Sequence, residues 1–176
     1  DNIKPLKKAK KIFEKLSKKF DVHLDERNIN PGRKFFDWEI KGVPVRIEIG
    51  PKDVEKGQVV FVRRDTGKKI VVKDSEVEKR LEEVLEEIHK NLLRKATRML
   101  KEAIKECDSL ESMRKWILEG KIAKVHWCEN PDCYDKILEV GEGFEGFGTD
   151  LKPGKNGKCL SCGKETRTML FVAKSY

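Results

Sequence analysis

The sequence has 176 residues, of which 39 are lysine or arginine and 31 are aspartate or glutamate, so its formal charge is +8 at neutral pH. This length allows one or two small domains, and the hydrophobic content of 38% is modest but periodic, which excludes a wholly disordered chain. The longest apolar runs fall far short of the roughly 18 residues that cross a bilayer. No secretory signal is recognisable at the start. The sequence therefore predicts a cytoplasmic protein with no membrane partner.

The charge pattern alone does not identify a partner. Lysine and glutamate are both abundant and interspersed. Such a composition is typical of proteins that bind polyanions, but also of heat-adapted proteins with highly charged surfaces. Nucleic-acid binding and a merely solvated surface both stay open at this point.

The first part of the chain alternates between the periods of helices and strands. Turn residues, among them Asn30-Pro31-Gly32 and Gly50-Pro51, separate these segments. The predicted elements are a helix at 3–19, a strand at 20–24, a helix at 33–40, a strand at 43–49, and strands at 58–64 and 70–72 joined by a hairpin turn at 65–68. The pattern predicts an α/β domain with at least one antiparallel pair of strands.

A long helix follows. Ser75–Glu78 fits a capping box, and helical spacing continues to Ile104. Such a helix would be on the order of 45 Å long, more than a sheet of about four short strands can cover, so it should bridge two domains. A second capping box at 108–111 should open a short helix that ends at Gly120. We expect three parts: a domain at 1–74, a connecting helix at 75–106 and a small α+β domain at 107–176.

Four of the five cysteines form two close pairs, Cys128 with Cys133 and Cys159 with Cys162. Two short loops that each carry two thiolates suit tetrahedral zinc, because a longer excursion can bring both loops to one metal ion. Disulfides or free thiols are the alternative. Four thiolates would close the metal shell, which favours a structural over a catalytic zinc even though His126 and Glu129 are close in sequence. Cys107 is interpreted as a small packed residue.

A second group combines basic, acidic and aromatic residues. Arg46 and Glu48 share the polar face of the predicted strand, and Glu39 can approach that face if the chain folds back at Gly42. With Phe35 one helical turn away, the group suits a splayed guanine base: the ring stacks, the arginine donates and the carboxylate accepts. A surface ion pair above a core phenylalanine is the alternative.

Longer stretches resemble a known family. The segments PGRKFFDWEIK (31–41) and GVPVRIEIGPKDVEKGQVVFVRRDTGKK (42–69) resemble the anticodon-binding domain of prolyl-tRNA synthetase. The cysteine pairs and the terminal FVAKSY (171–176) resemble the zinc-binding C-terminal domain of the archaeal and eukaryote-like form of that enzyme. The similarity covers essentially the whole chain.

The resemblance implies a role for individual residues. It implies that a glutamate, an arginine and a lysine read the two guanines of the proline tRNA anticodon, at positions matching Glu39, Arg46 and Lys52. Phe35 would be the packing or stacking aromatic, with Lys68 as a weaker candidate. The four paired cysteines would bind structural zinc, and the carboxylate of Tyr176 would turn toward the aminoacylation site.

The sequence also departs from the family. The family's anticodon-binding domain, of the class II synthetase type with a mixed sheet, opens with an apolar strand that residues 1–4 do not match, so we expect the sheet to lack that first strand. The class II catalytic core, which binds ATP and Mg²⁺, is also unmatched. The resemblance therefore implies the C-terminal part of a homodimeric ligase that binds proline tRNA and not DNA, beside its own catalytic domain, and that is inactive alone. A stand-alone zinc-containing RNA- or protein-binding module is the alternative.

Overall fold

The computed structural model describes residues 3–175. These residues form two compact units that divide between Lys95 and Ala96. The elements of the first unit are α1 (Ile3–Leu16), α2 (Pro31–Ile40), β1 (Val45–Glu48), α3 (Pro51–Glu55), β2 (Gln58–Arg63), β3 (Lys69–Lys73) and most of the long helix α4 (Val77–Ala103). None of the helices in residues 3–175 combines the length and apolarity that a membrane-crossing helix needs.

The first unit is built on a three-stranded antiparallel sheet in the order β1-β2-β3. One face of the sheet carries the core, in which Val59 and Phe61 of β2 are fully buried among residues of α1 and α4 such as Leu16 and Val84. Because side chains alternate along a strand, the other face presents Arg46 and the residues beside it. The sheet thus separates a hydrophobic core from a polar face.

The prediction of a strand at 20–24 is wrong. Phe20, Val22 and Leu24 are half-buried and alternate with exposed residues, as the sequence indicates. However, this segment has no strand assignment, and no backbone hydrogen bond among residues 3–175 joins it to a neighbouring strand. Alternation specifies which side chains are buried, but a strand also needs a hydrogen-bonded partner.

Several helix boundaries also differ from the predictions. The connecting helix predicted at 75–106 ends at Ala103, because Ile104–Glu106 is a strand that pairs with residues 122–124. The helix predicted at 33–40 begins two residues earlier, at Pro31.

The first helix ends at Leu16, three residues earlier than predicted. A short 3₁₀ turn, Asp74–Glu76, precedes α4 where the sequence indicated a capping box. In the second unit the cap is Ser109, which accepts from the Ser112 amide, one residue later than predicted.

The second unit contains a mixed four-stranded sheet in the order β4-β5-β9-β6, in which only the β4–β5 pair is parallel. Its core is formed largely by α5 and the central strands, including Met113, Ile117, Val125 and Val172. The elements of this unit are β4 (Ile104–Glu106), α5 (Leu110–Leu118), β5 (Ile122–His126), α6 (Pro131–Leu138), β6 (Phe144–Thr149), β7 (Gly157–Lys158), β8 (Glu165–Thr166) and β9 (Met169–Lys174).

The mixed α/β class predicted from the sequence is confirmed, and the parallel pair of strands lies in the second unit. Within the described residues the sheet of the first unit has three strands, and Ile3 and Lys4 belong to α1.

Candidate nucleic-acid interface and metal centre

Arg46 is the centre of a polar cluster on the outer face of the first sheet. Its Nη1 donates to Oε1 of Glu39 on α2 at 2.7 Å, and its Nε donates to Oε1 of Glu48 at 3.0 Å. The Arg46 side chain is 19% exposed, whereas Glu39 is 52% exposed. The predicted approach of Glu39 to the face that carries Arg46 and Glu48 is therefore present in the structure.

Phe35 lies against the same guanidinium. The Cζ atom of Arg46 is 4.0 Å from the centre of the Phe35 ring, a cation–π contact that fixes the plane of the guanidinium. The neighbouring Phe36 is 53% exposed and does not share this contact. Because the ring packs against arginine, Phe35 supports Arg46, while a base could stack on the guanidinium plane itself.

Helix α2 is anchored through Asp25, in the segment before it. Asp25 accepts from Nη2 of Arg27 at 2.7 Å and from Nε1 of Trp38 at 2.8 Å. The bond from Arg27 holds the pKa of the Asp25 carboxyl well below its usual range, although partial burial opposes the shift and Trp38 adds to it. The charged bonds at Asp25 hold α2, and with it Glu39, in place over the sheet.

The two predicted lysines lie apart from this cluster. Lys52 is exposed on α3, and Lys68 is exposed in the turn between β2 and β3. No hydrogen bond or ion pair among residues 3–175 joins either side chain to Glu39 or Arg46. The sequence analysis assigned no role to Arg64, which lines one surface hollow together with Glu39, Arg46 and Trp38. Its place in the alternation of the strand predicted at 58–64 was the available signal.

The hairpin turn after β2 is held by a buried ion pair. Arg63 donates to both carboxylate oxygens of Asp65, at 3.0 and 2.8 Å, and to Glu87 of α4 at 2.6 Å. The Asp65 side chain is only 2% exposed. The bond from Arg63 lowers the pKa of Asp65 to about 2, against the effect of burial and with help from Asn91.

The four predicted ligands converge in the second unit. The Sγ atoms of the two cysteine pairs all lie within 4.8 Å of one another, and those of Cys128 and Cys162 are 3.7 Å apart. Tetrahedral zinc with Zn–S bonds of about 2.3 Å requires sulfur atoms about 3.8 Å apart. None of the five cysteines forms a disulfide. The cluster therefore has the dimensions of a metal site and not of a disulfide.

The local backbone explains why the thiols face one another. Cys128 follows β5, Cys133 lies in the first turn of α6, and Cys159 follows β7. The Leu160 amide donates to the His126 carbonyl at 2.9 Å, which joins the two cysteine loops. Burial opposes ionisation of Cys159, but backbone N–H groups of Cys162 and Ser161 lower the pKa of its thiol to about 7. The loop thus favours a thiolate.

The other residues considered in this region are not part of the metal cluster. His126 contacts the carbonyl of Lys155, and Glu129 accepts from the hydroxyl of Thr168. Cys107 is buried in the core. Tyr176 lies outside the described residues, so its predicted role stays a prediction.

Two family models match the chain. An anticodon-binding domain matches residues 2–84, and the C-terminal domain of prolyl-tRNA synthetase matches residues 110–176. These matches make the chain similar to the C-terminal part of prolyl-tRNA synthetases. Among curated proteins, it is 39% identical to a proline–tRNA ligase of Natranaerobius thermophilus, over 97% of this chain and 36% of that protein. It is 38% identical to a proline–tRNA ligase of Methanococcoides burtonii, over 88% of this chain and 32% of that protein.

A solved structure agrees with these matches. The crystal structure of prolyl-tRNA synthetase from Cryptosporidium parvum, complexed with L-proline and AMP, matches with a TM-score of 0.85 and 30% identity. The match covers 98% of this chain and 37% of that protein. The chain thus spans about a third of the length of the synthetases it matches.

Proposed function

We propose that this chain is the tRNA-binding part of a proline–tRNA ligase, and that its first unit reads the anticodon so that the acceptor end reaches a catalytic domain elsewhere in the enzyme. The observation that carries the proposal is the arrangement of Arg46, held by Glu39 and Glu48 and stacked on Phe35. The match to an anticodon-binding domain supports the choice of RNA over other partners.

The cluster can distinguish guanine from other bases. Among the contacts of the described residues, Oε2 of Glu39 and Nη2 of Arg46 are not engaged. An unpaired guanine offers N–H donors on its Watson–Crick edge and acceptors at O6 and N7. Glu39 would accept from the donors and Arg46 would donate to an acceptor. Lys52 and Lys68 would bind the second guanine or neighbouring phosphates.

The cysteine cluster would hold structural zinc. Four thiolates fill a tetrahedral shell and leave no position for a reacting water, so the ion would supply folding energy and no chemistry. The remaining assignments rest on the resemblance to prolyl-tRNA synthetase: ATP and Mg²⁺ would bind in the catalytic domain, the enzyme would be a cytoplasmic homodimer, and the Tyr176 carboxylate would face the aminoacylation site.

The proposal is tested by RNA binding to the 176-residue chain. Two RNA hairpins are compared, one with the proline anticodon and one in which both anticodon guanines are replaced by adenines. We expect tighter binding of the guanine hairpin by ~1–3 kcal/mol for each base that is read. Equal affinity for both hairpins would contradict anticodon reading, and no binding of either would contradict the tRNA-binding role.

A further inference from the structure

The guanine-reading cluster carries no net positive charge. Arg46 is paired with the carboxylates of Glu39 and Glu48. Nζ of Lys69 lies 3.6 Å from Oε2 of Glu48. Two cations and two anions sum to zero. A base read by this cluster is nevertheless attached to a phosphodiester chain, whose affinity for proteins comes mainly from cations. The cluster by itself therefore does not attract the RNA backbone.

Arg64 lies on the same side of the sheet as Arg46. Val62, two residues before it, is opposite Arg46 in the β1–β2 register, and the Arg64 amide still donates to the carbonyl of Pro44 at 2.9 Å. Arg64 lies one residue beyond the end of β2, but its hydrogen bond to Pro44 continues the strand pairing, and residues two positions apart in such a pairing face the same way. Arg64 and Arg46 accordingly line the same surface hollow with Glu39.

Arg64 also differs from the arginine before it. Arg63 is 9% exposed and is bound to Asp65 and Glu87, which commits it to holding the turn. Arg64 is exposed, and within residues 3–175 no hydrogen bond or ion pair engages its guanidinium. It is a free planar donor at the rim of the hollow.

We propose that Arg64 binds the RNA phosphate that adjoins the guanine held by Glu39 and Arg46. A guanidinium binds a phosphate through two parallel N–H bonds, and it supplies the positive charge that the base-reading cluster lacks. Arg64 thus contributes affinity without base discrimination, whereas Glu39 contributes discrimination. This inference rests on the proposed anticodon-binding function.

The test compares Arg64→Gln with Arg64→Lys and with a control, Arg94→Gln, which removes an exposed arginine from α4, a helix whose buried residues pack on the core face of the sheet. Binding of the guanine and adenine hairpins to the full chain is measured over a range of salt concentrations. We expect Arg64→Gln to weaken both hairpins by the same factor, roughly threefold to tenfold at low salt, and to reduce the slope of log affinity against log salt by ~0.7. Arg64→Lys should keep the slope, and Arg94→Gln should keep both slope and affinity.

Each other outcome overturns the inference. An unchanged slope and affinity in Arg64→Gln would show that Arg64 does not bind a phosphate. Anticodon reading would still stand if the unmutated chain prefers the guanine hairpin. A loss confined to the guanine hairpin would make Arg64 a base reader. An equal loss of affinity in Arg94→Gln would show that the effect of Arg64→Gln comes from the overall charge of the protein. No RNA binding by the unmutated chain would overturn both this inference and the proposed function.

Discussion

Nη1 of Arg46 lies 2.7 Å from Oε1 of Glu39, although the two residues belong to a strand and to the helix before it. The same guanidinium donates through Nε to Glu48, so both of its contacts depend on the fork geometry of arginine. Lysine keeps the charge but cannot make both bonds in the same plane. The pair therefore presents a donor from Arg46 and an acceptor from Glu39 in a fixed arrangement, which an ordinary surface ion pair does not.

Replacing Arg46 separates geometry from charge. We expect Arg46→Lys to lose most of the preference for the guanine hairpin, a loss of ~1–3 kcal/mol, while binding to the adenine hairpin changes little. Arg46→Ala should lose the preference as well. Isothermal titration with both hairpins measures the difference, and a Lys variant that keeps the full preference would contradict readout by the fork.

The two adjacent phenylalanines provide a matched pair of variants. Phe35 packs on Arg46, whereas Phe36 is largely exposed. Phe35→Leu should reduce guanine preference by about 0.5–2 kcal/mol, because the guanidinium loses the ring that fixes its plane. Phe36→Leu should leave the preference unchanged. Binding measurements as above decide the point, and equal effects of the two variants would show that Phe35 does not position Arg46.

Acid should weaken the first unit through Asp65. Its pKa is lowered to about 2 in the folded chain, below the value of about 4 of an unfolded chain. A depressed carboxyl pKa contributes stability above the unfolded value and loses it as the pH falls toward the folded value, so about 2 kcal/mol should disappear between these limits. Urea unfolding followed by hydrogen exchange of the β2 amides measures this loss in the first unit alone.

The control for this acid transition is Asp65→Asn. The variant should be less stable than the unmutated chain near neutral pH, because it leaves Arg63 buried with one carboxylate fewer. Its stability should then fall less steeply with acid. Parallel stability profiles for the two proteins would rule out Asp65 as the titrating group.

Zinc removal should destabilise the second unit. A chelator should lower its unfolding temperature in the unmutated chain and in Cys107→Ala, because Cys107 lies outside the thiol cluster. Cys159→Ser should be destabilised from the outset and insensitive to chelator. Thermal unfolding followed by circular dichroism checks this. X-ray absorption should find four sulfur ligands, and fewer than three would contradict the assignment.

Local patterns predicted the elements whose partners lie nearby in sequence. The hairpin of β2 and β3 and the long helix follow directly from alternation and helical spacing. Two short helices, α3 and α6, were not predicted: Pro51 was interpreted as a break, and no element was assigned at Pro131. Both prolines occupy the start of a helix, where a missing N–H costs nothing, and Asn130 caps the second of these helices.

The site was predicted to a similar extent. The approach of Glu39 to Arg46 was predicted because the chain between them folds back over one turn. The cluster of four cysteines was predicted because the two members of each pair are close along the chain. The position of Arg64 beside this cluster depends on the β1–β2 register, and the burial of Asp65 depends on α4. Neither relationship is visible in a local pattern, because each joins segments that meet only in the folded unit.

The most direct test of guanine reading pairs a change in the protein with a change in the base. Inosine lacks the exocyclic amino group that Glu39 would accept from, so the unmutated chain should bind an inosine hairpin more weakly than the guanine hairpin, by ~1–3 kcal/mol. Glu39→Ala should bind the two hairpins equally, because the side-chain acceptor that senses the amino group is gone. If Glu39→Ala still prefers guanine to inosine as strongly as the unmutated chain does, Glu39 does not read the base and the account is contradicted.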